Sequence, residues 1–151
     1  MKFIADTMLG TLARWLRILG FDTVYARDMG DDEIIQLAKL EDRIIISRDR
    51  ELCGRVLGSI LLSQDTLRNQ IITVLGLHPP EQRSILTRCL ECNSVLQTAD
   101  KISVAEEVPE AVFSKLNEFW KCPGCKKVYW KGSHYDKMRD EANKIIAQCE
   151  S

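Results

Sequence analysis

The sequence predicts an α/β fold, a parallel sheet flanked by helices, followed by a small cysteine-stapled ribbon. Three observations carry this expectation. Short apolar runs alternate with helical periods over the first half of the chain, and the alternation stops at His78-Pro79-Pro80. Beyond that point lie two Cys-x-x-Cys pairs, Cys89-Leu90-Glu91-Cys92 and Cys122-Pro123-Gly124-Cys125, with 29 residues between them. Strands alternating with helices at such spacing build βαβ units.

The elements follow in order. Lys2 to Ala5 is a short apolar strand bounded by Asp6. Met8 to Leu19 has helical period, with Leu9, Leu12, Ala13, Leu16 and Leu19 on one face, and Gly20 stops it. Thr23 to Ala26 is a second strand. A helix capped by Asp31 or Asp32 runs to about Leu40. The β-branched run Ile44-Ile45-Ile46 marks a buried strand over Arg43 to Ser47. A shorter helix from Arg50 to about Leu57, a strand over Ser59 to Ser63 and a helix over Thr66 to Leu75 complete the unit. After Pro80 the pattern is looser. Leu96 to Glu107 is less regular, Pro109 opens a short helix to about Leu116, and Glu118–Lys121 and Lys127–Lys131 frame the second knuckle as strands. A terminal helix spans Ser133 to about Gln148. The expected division is residues 1–80 and 81–151.

An apolar content of 45% suffices for a core, and the net charge of −1 excludes a uniformly basic nucleic-acid binder. Any grip on phosphate must come from a local patch. The chain opens without a signal-peptide core, and no run approaches the roughly 18 apolar residues of a membrane span. The expected location is the cytoplasm, where disulfides rarely persist. Cys53 and Cys149, outside the pairs, are expected to act as small apolar side chains.

Two Cys-x-x-Cys knuckles present four soft ligands, the set that Zn²⁺ takes in a closed tetrahedron. Iron accepts the same four thiolates, and the other readings of the cysteines are two disulfides or a redox pair. Gly124 suits the tight turn of a knuckle.

Carboxylates gather where the strands end. Asp6 follows the first strand, Asp28, Asp31 and Asp32 follow the second, and Asp49 follows the third, with Glu51 two residues on. In an open parallel sheet these ends share one edge, where ligands bind. Crowded carboxylates repel unless a divalent cation neutralises them, and Mg²⁺ or Mn²⁺ takes carboxylate oxygens and water while leaving positions open for phosphate. Such ions support nuclease-type hydrolysis. Acids at turns and helix caps are also common for local reasons, and Asp22, Glu41 and Asp42 are expected to be ordinary loop charges. Arg14 and Arg17 lie three apart on the first helix and Arg48 adjoins Asp49; arginine forks match phosphate geometry, solvated ion pairs being the plainer alternative.

From Lys121 to Arg139 six Lys or Arg stand against one acid, interleaved with Trp120, Tyr129, Trp130 and Tyr135. Lys126, Lys127 and Lys131 are candidates for phosphate contacts, and exposed aromatics stack on single-stranded bases. At least one of the two tryptophans is expected to be the ribbon's own core. His134 is a further candidate contact.

These residues together resemble a known family. Phe3-Ile4-Ala5-Asp6-Thr7-Met8-Leu9-Gly10-Thr11-Leu12-Ala13-Arg14-Trp15-Leu16-Arg17, Asp31-Asp32-Glu33-Ile34-Ile35 with Ala38, and Ile44-Ile45-Ile46-Ser47-Arg48-Asp49 resemble the mut-seven C-terminal RNase domain. Cys122-Pro123-Gly124-Cys125 with Val128-Tyr129-Trp130-Lys131-Gly132-Ser133-His134 is similar to that family's zinc ribbon. The resemblance covers nearly the whole chain, and it implies a PIN-like nuclease fold joined to a zinc ribbon, in a stand-alone version. It further implies Mg²⁺- or Mn²⁺-dependent cleavage of RNA, with Asp6, Asp31 and Asp49 at the acidic positions. The family's usual threonine is Ser47 here, which keeps the hydroxyl. Glu51 stands where PIN-like relatives often carry a further acid, and the choice among Asp28, Asp31 and Asp32 stays open. The alternative is a non-catalytic RNA-binding or adaptor protein that retains the fold.

Overall fold

Four parallel strands, β1 (Lys2–Ala5), β2 (Asp22–Tyr25), β3 (Ile44–Ser47) and β4 (Ile60–Leu61), lie in the order β2-β1-β3-β4 in a computed structural model that describes residues 1–63 and 66–151. Their side chains alternate between faces. Phe3, Ala5 and Ile46 enter one apolar cluster, while Ile4 and Ile45 enter another with Ile34, Ala38 and Leu52. Both faces are covered, which is why β1 and β3 run apolar over Phe3–Ala5 and Ile44–Ile46. Because β1 pairs with β2 on one side and β3 on the other, the chain order reverses at β1. A crevice therefore opens at the carboxyl ends of β1 and β3, the place where open parallel sheets bind ligands.

Helices α1 (Gly10–Ile18), α2 (Asp31–Glu41), α3 (Arg50–Gly54) and α4 (Leu67–Leu77) follow the four strands. The expected helix from Met8 begins instead as a 3₁₀ turn over Thr7–Leu9, because Asp6 Oδ1 caps the Thr7 N–H at 2.7 Å. It ends before Gly20, whose φ of +93° suits glycine and whose Cβ, if present, would lie 2.4 Å from the Ser84 carbonyl oxygen. Both α3 and β4 are shorter than their sequence patterns suggest.

The expected loop charges are structural. Asp22 opens β2, and its Oδ1 accepts hydrogen bonds from Arg43 Nη1 and Asn93 Nδ2, each at 2.7 Å. Glu41 also pairs with Arg43. Asp42 ends α2 in the left-handed region at φ 56°, a conformation that Asp tolerates better than most residues. No sequence period marks such pairings, since Arg43 meets Asp22 across the sheet.

The second sheet is antiparallel, in the order β5 (Gln97–Ala99), β6 (Phe119–Lys121) and β7 (Val128–Trp130). Strand β5 falls within the stretch expected to be irregular; it is only three residues long and pairs Thr98 with Trp120. A 3₁₀ turn at Ile102–Val104 and helix α5 (Glu110–Lys115) follow, and Val104, Val108 and Phe119 form a small core against which Trp130 packs. Helix α6 (Ser133–Glu150) then returns to the first unit. Its Ala142, Ile145 and Ile146 share one cluster with Leu90, Phe3, Leu12 and Val74. A single core thus runs across residue 80. On the surface of this contact Arg68 clasps Gln148 and Glu141.

Candidate active site and metal centre

The switch-point crevice holds Asp6 and Asp49. The N–H of Asp6 donates to the Ile46 carbonyl at 3.0 Å, so the ladder between β1 and β3 reaches the acid itself. Asp6 Oδ2 accepts from Ser47 Oγ at 2.7 Å, and the same Oγ accepts from the Asp49 N–H at 2.9 Å. Ser47 is fully buried, so its hydroxyl is a fixed link between the two acids. Asp49 Oδ1 caps α3 by accepting from Glu51 N and Leu52 N, and its Oδ2 meets no partner among the described residues. Cys53 lies close by, with its thiol pushed up first by burial and then by the charges of Asp49 and Asp6. Both carboxylates are therefore within electrostatic reach of one sulfur.

The other acids sit apart from this pair. Asp32, in the first turn of α2, pairs with Arg55 at 2.5 Å. That contact, followed by the charges of Asp32, Asp31 and Glu51, holds the Arg55 guanidinium above its ordinary pKa. Asp31 and Asp32 from the first turn of α2 and Glu51 from the first turn of α3 thus act on one arginine, the residue that caps the C-terminal end of α3. Asp28 is exposed in the turn after β2. Among the described residues, only the four cysteines bring three or more potential ligand atoms within 4.8 Å of one another. Asp6 and Asp49 still fit a hard divalent ion, since Mg²⁺ is commonly held by one or two carboxylates with water and substrate phosphate filling the octahedron.

The cysteine cluster is the second centre. Cys89 Sγ lies 3.6 Å from Cys125 Sγ, and Cys92 Sγ lies 3.2 Å from Cys122 Sγ. A tetrahedron with Zn–S bonds of about 2.3 Å has edges of about 3.8 Å, so the donor set fits one ion. No disulfide joins any of the six cysteines. The N–H of Cys125 donates to Cys122 Sγ, which shapes the second knuckle, and Lys126 follows at φ 68°. Four sulfurs this close cannot all ionise without a cation. Burial alone raises the Cys92 thiol, but the Ser94 hydroxyl, the Ser94 backbone and the neighbouring thiols bring it down to about 6. The Lys127 backbone favours the Cys125 thiolate, yet burial and the other three cysteines push it up to about 12. Tyr129 Oη accepts from Leu90 N at 3.1 Å and contacts Cys89 Sγ at 3.1 Å, an outer contact that the sequence pattern did not single out. The sequence marks it as one of the aromatics among the ribbon's basic residues, four positions after Cys125, and not as a neighbour of the cysteines.

The basic candidates divide. A cavity of about 540 Å³ lies between the ribbon sheet, the start of α6 and the flank of α1. Arg14, Lys127, Lys131, His134, Trp120 and Tyr135 are among its lining. Lys131 Nζ stands 5.5 Å from the Trp120 ring and 5.9 Å from Tyr135. Trp130 also lines it while packing on the ribbon core, whereas Trp120 is not part of that core. Lys126 is outside this lining and donates to the Pro123 carbonyl. Arg48 is exposed between Ser47 and Asp49. Arg17, a candidate phosphate contact alongside Arg14, is not the solvated helix charge of the alternative reading. It is 7% exposed, and its Nε and Nη1 donate to the carbonyls of Thr23 and Leu90, each at 2.9 Å. Glu91, inside the first knuckle, accepts from Arg14 at 3.1 Å and Lys127 at 3.4 Å, and it too was missed because its partners are distant in sequence.

Among curated proteins, no sequence matches the chain significantly. The family model described as the Mut7-C RNAse domain matches residues 1–142. That span takes in Asp6, Ser47, Asp49 and both cysteine knuckles, and it covers all but nine residues of the 151. The chain belongs to the Mut7-C RNAse domain family.

Proposed function

We propose that this protein is a Mg²⁺- or Mn²⁺-dependent ribonuclease that cuts RNA at the carboxyl edge of its parallel sheet. The observation that carries the reading is the Asp6–Ser47–Asp49 linkage at the topological switch point. Asp6 and Asp49 would hold the ion, with Asp31 the candidate for a further contact through water. When bound, the ion supplies an activated water and charge neutralisation at a phosphate. The chain's own residues do the rest. Ser47 orients the Asp6 carboxylate, and the N-cap bonds of α3 orient Asp49. Asp28, Asp32 and Glu51 are assigned to the surrounding acidic rim, with Asp32 held by Arg55.

The ribbon is the RNA-holding part of this reading. Zn²⁺ on Cys89, Cys92, Cys122 and Cys125 fixes the loops beside the 540 Å³ cavity, whose aromatic and cationic lining suits single-stranded RNA. Six unpaired cysteines fit a reducing compartment such as the cytoplasm. Among the described residues no helix is long and apolar enough to cross a membrane.

The test is cleavage of end-labelled single-stranded RNA with Mn²⁺ and with chelator, for the parent and Asp6→Asn. Metal-dependent products from the parent alone support the reading. RNA binding without products under any divalent ion favours the adaptor alternative. A crystal soaked in Mn²⁺ would identify the ligating acids directly.

A further inference from the structure

A second cavity of about 390 Å³ lies beside the acidic edge, on the side of β2. It is lined by Gly10, Arg14, Arg17, Tyr25, Arg27 and Glu91, together with Leu90. Three guanidinium groups come from two elements, α1 and the turn after β2, against a single carboxylate. Arg17 is fixed by its two carbonyl partners and is 7% exposed, yet among the described residues no acceptor meets its Nη2. Arg27 makes no ion pair among the described residues, and Glu91 divides itself between Arg14 and Lys127. So much positive charge around a small space favours an anion, and Arg forks match phosphate oxygens in particular.

The cavity is tied to the acids. Tyr25 Oη donates to the Thr7 carbonyl at 2.6 Å, one residue past Asp6. Gly10 allows that approach, for a Cβ there would stand 3.1 Å from the Tyr25 ring. The cavity wall and the Asp6 cap are thus built from one turn of chain.

We propose that this cavity anchors one phosphate of an RNA chain, held by Arg14, Arg17 and Arg27 beside the acidic crevice. The phosphate is either a terminal monoester or an internal diester. Phosphate entry competes with Glu91 for Arg14, so the acid keeps the site closed to weak anions. An anchored phosphate fixes how far along the strand the crevice falls, which sets the position of the cut. The inference rests on the reading of RNA as substrate, but its test reads binding and not cleavage.

Binding of short fluorescent RNAs bearing a 5′-phosphate, a 3′-phosphate or hydroxyls at both ends is measured by anisotropy in an Asp6→Asn background, so that no strand is cut. Arg27→Ala and Arg14→Ala are each compared with that background. Arg17 is left intact because its carbonyl bonds are structural. Loss of one good phosphate contact weakens binding by about tenfold. A loss confined to one phosphorylated end identifies the monoester. An equal loss on all three RNAs, with a salt slope shallower by about 0.7, identifies the diester. If Arg27→Ala binds every RNA within about twofold of the background, the anchor is wrong, whatever Arg14→Ala or the cleavage assay shows, because Arg14 also lines the larger cavity. Cleavage failing while these losses appear would refute the ribonuclease reading and leave the anchor standing.

Discussion

Ser47 Oγ donates a 2.7 Å hydrogen bond to Asp6 Oδ2. The same oxygen receives the Asp49 N–H, so one hydroxyl sets two acids that are 43 positions apart in sequence. Outer contacts of this kind commonly govern about 10- to 100-fold in metal affinity or activity. Ser47→Ala should therefore lower RNA cleavage by about that factor and raise the Mn²⁺ concentration needed for half-maximal rate. Ser47→Thr should restore both. Parent-like Mn²⁺ dependence in the alanine variant would remove Ser47 from the site.

Zinc should be found at about one ion per chain, with iron as the only substitute. Cys122→Ser should abolish that stoichiometry, because a small ribbon draws much of its folding free energy from the metal. The damage should spread. Leu90 of the first knuckle and the return helix α6 share the core of the parallel sheet, so the melting temperature of the whole chain should fall. Tyr129→Phe is the milder probe, weakening metal retention by about tenfold through loss of the hydroxyl at Cys89. Metal analysis alongside thermal unfolding checks all three outcomes.

The basic residues of the ribbon should separate in RNA titrations. Lys127 and Lys131 line the large cavity, whereas Lys126 is turned to the Pro123 carbonyl. Lys127→Ala and Lys131→Ala should each reduce affinity, with a salt slope shallower by about 0.7 per lost phosphate contact. Lys126→Ala should change both by much less. Equal effects from all three would mean that the ribbon binds by diffuse charge and not through the cavity.

Acid should loosen the junction between sheet and ribbon. Burial pushes the Asp22 carboxyl up, but the hydrogen bonds from Arg43 and Asn93 outweigh it and hold the group below its ordinary value. A depressed carboxyl contributes stability that is complete above the unfolded pKa of about 3.9 and lost as pH falls through the folded value. Asp22→Asn should therefore flatten the decline of stability between about pH 5 and pH 2. At neutral pH the variant should lose about 1–3 kcal/mol, because Glu41 is then the one carboxylate still paired with the half-buried Arg43, whose other partners are the Phe3 and Asp22 carbonyls. Urea unfolding across that pH range measures both effects.

The parallel sheet and the metal knuckles were legible because each has a local signature. Ile44-Ile45-Ile46 is β-branched and apolar, Gly20 stops a periodic helix, and Cys-x-x-Cys recurs. Asp6 and Asp49 could be placed on one edge from topology alone. What escaped was set by contacts between distant residues. Arg17 has the spacing of a surface residue, yet it spans the carbonyls of Thr23 and Leu90. Asp22 looks like a turn acid until Arg43 and Asn93 are brought to it. Strand β5 has too few residues to show a period, and its identity comes from its partner β6. The seam near Pro80 is a change of pattern in the sequence but not a break in the core.

Helix α6 has a practical meaning for anyone choosing where this protein stops. The family match ends at residue 142, but Ile145 and Ile146, 2% and 5% exposed, belong to the same core as Phe3. A fragment trimmed to the recognisable span would end inside a packed helix and bare its apolar partners on α1 and α4. Such a fragment is a candidate for aggregation, not a minimal enzyme. The piece of chain that similarity picks out stops short of the last residues that close the core.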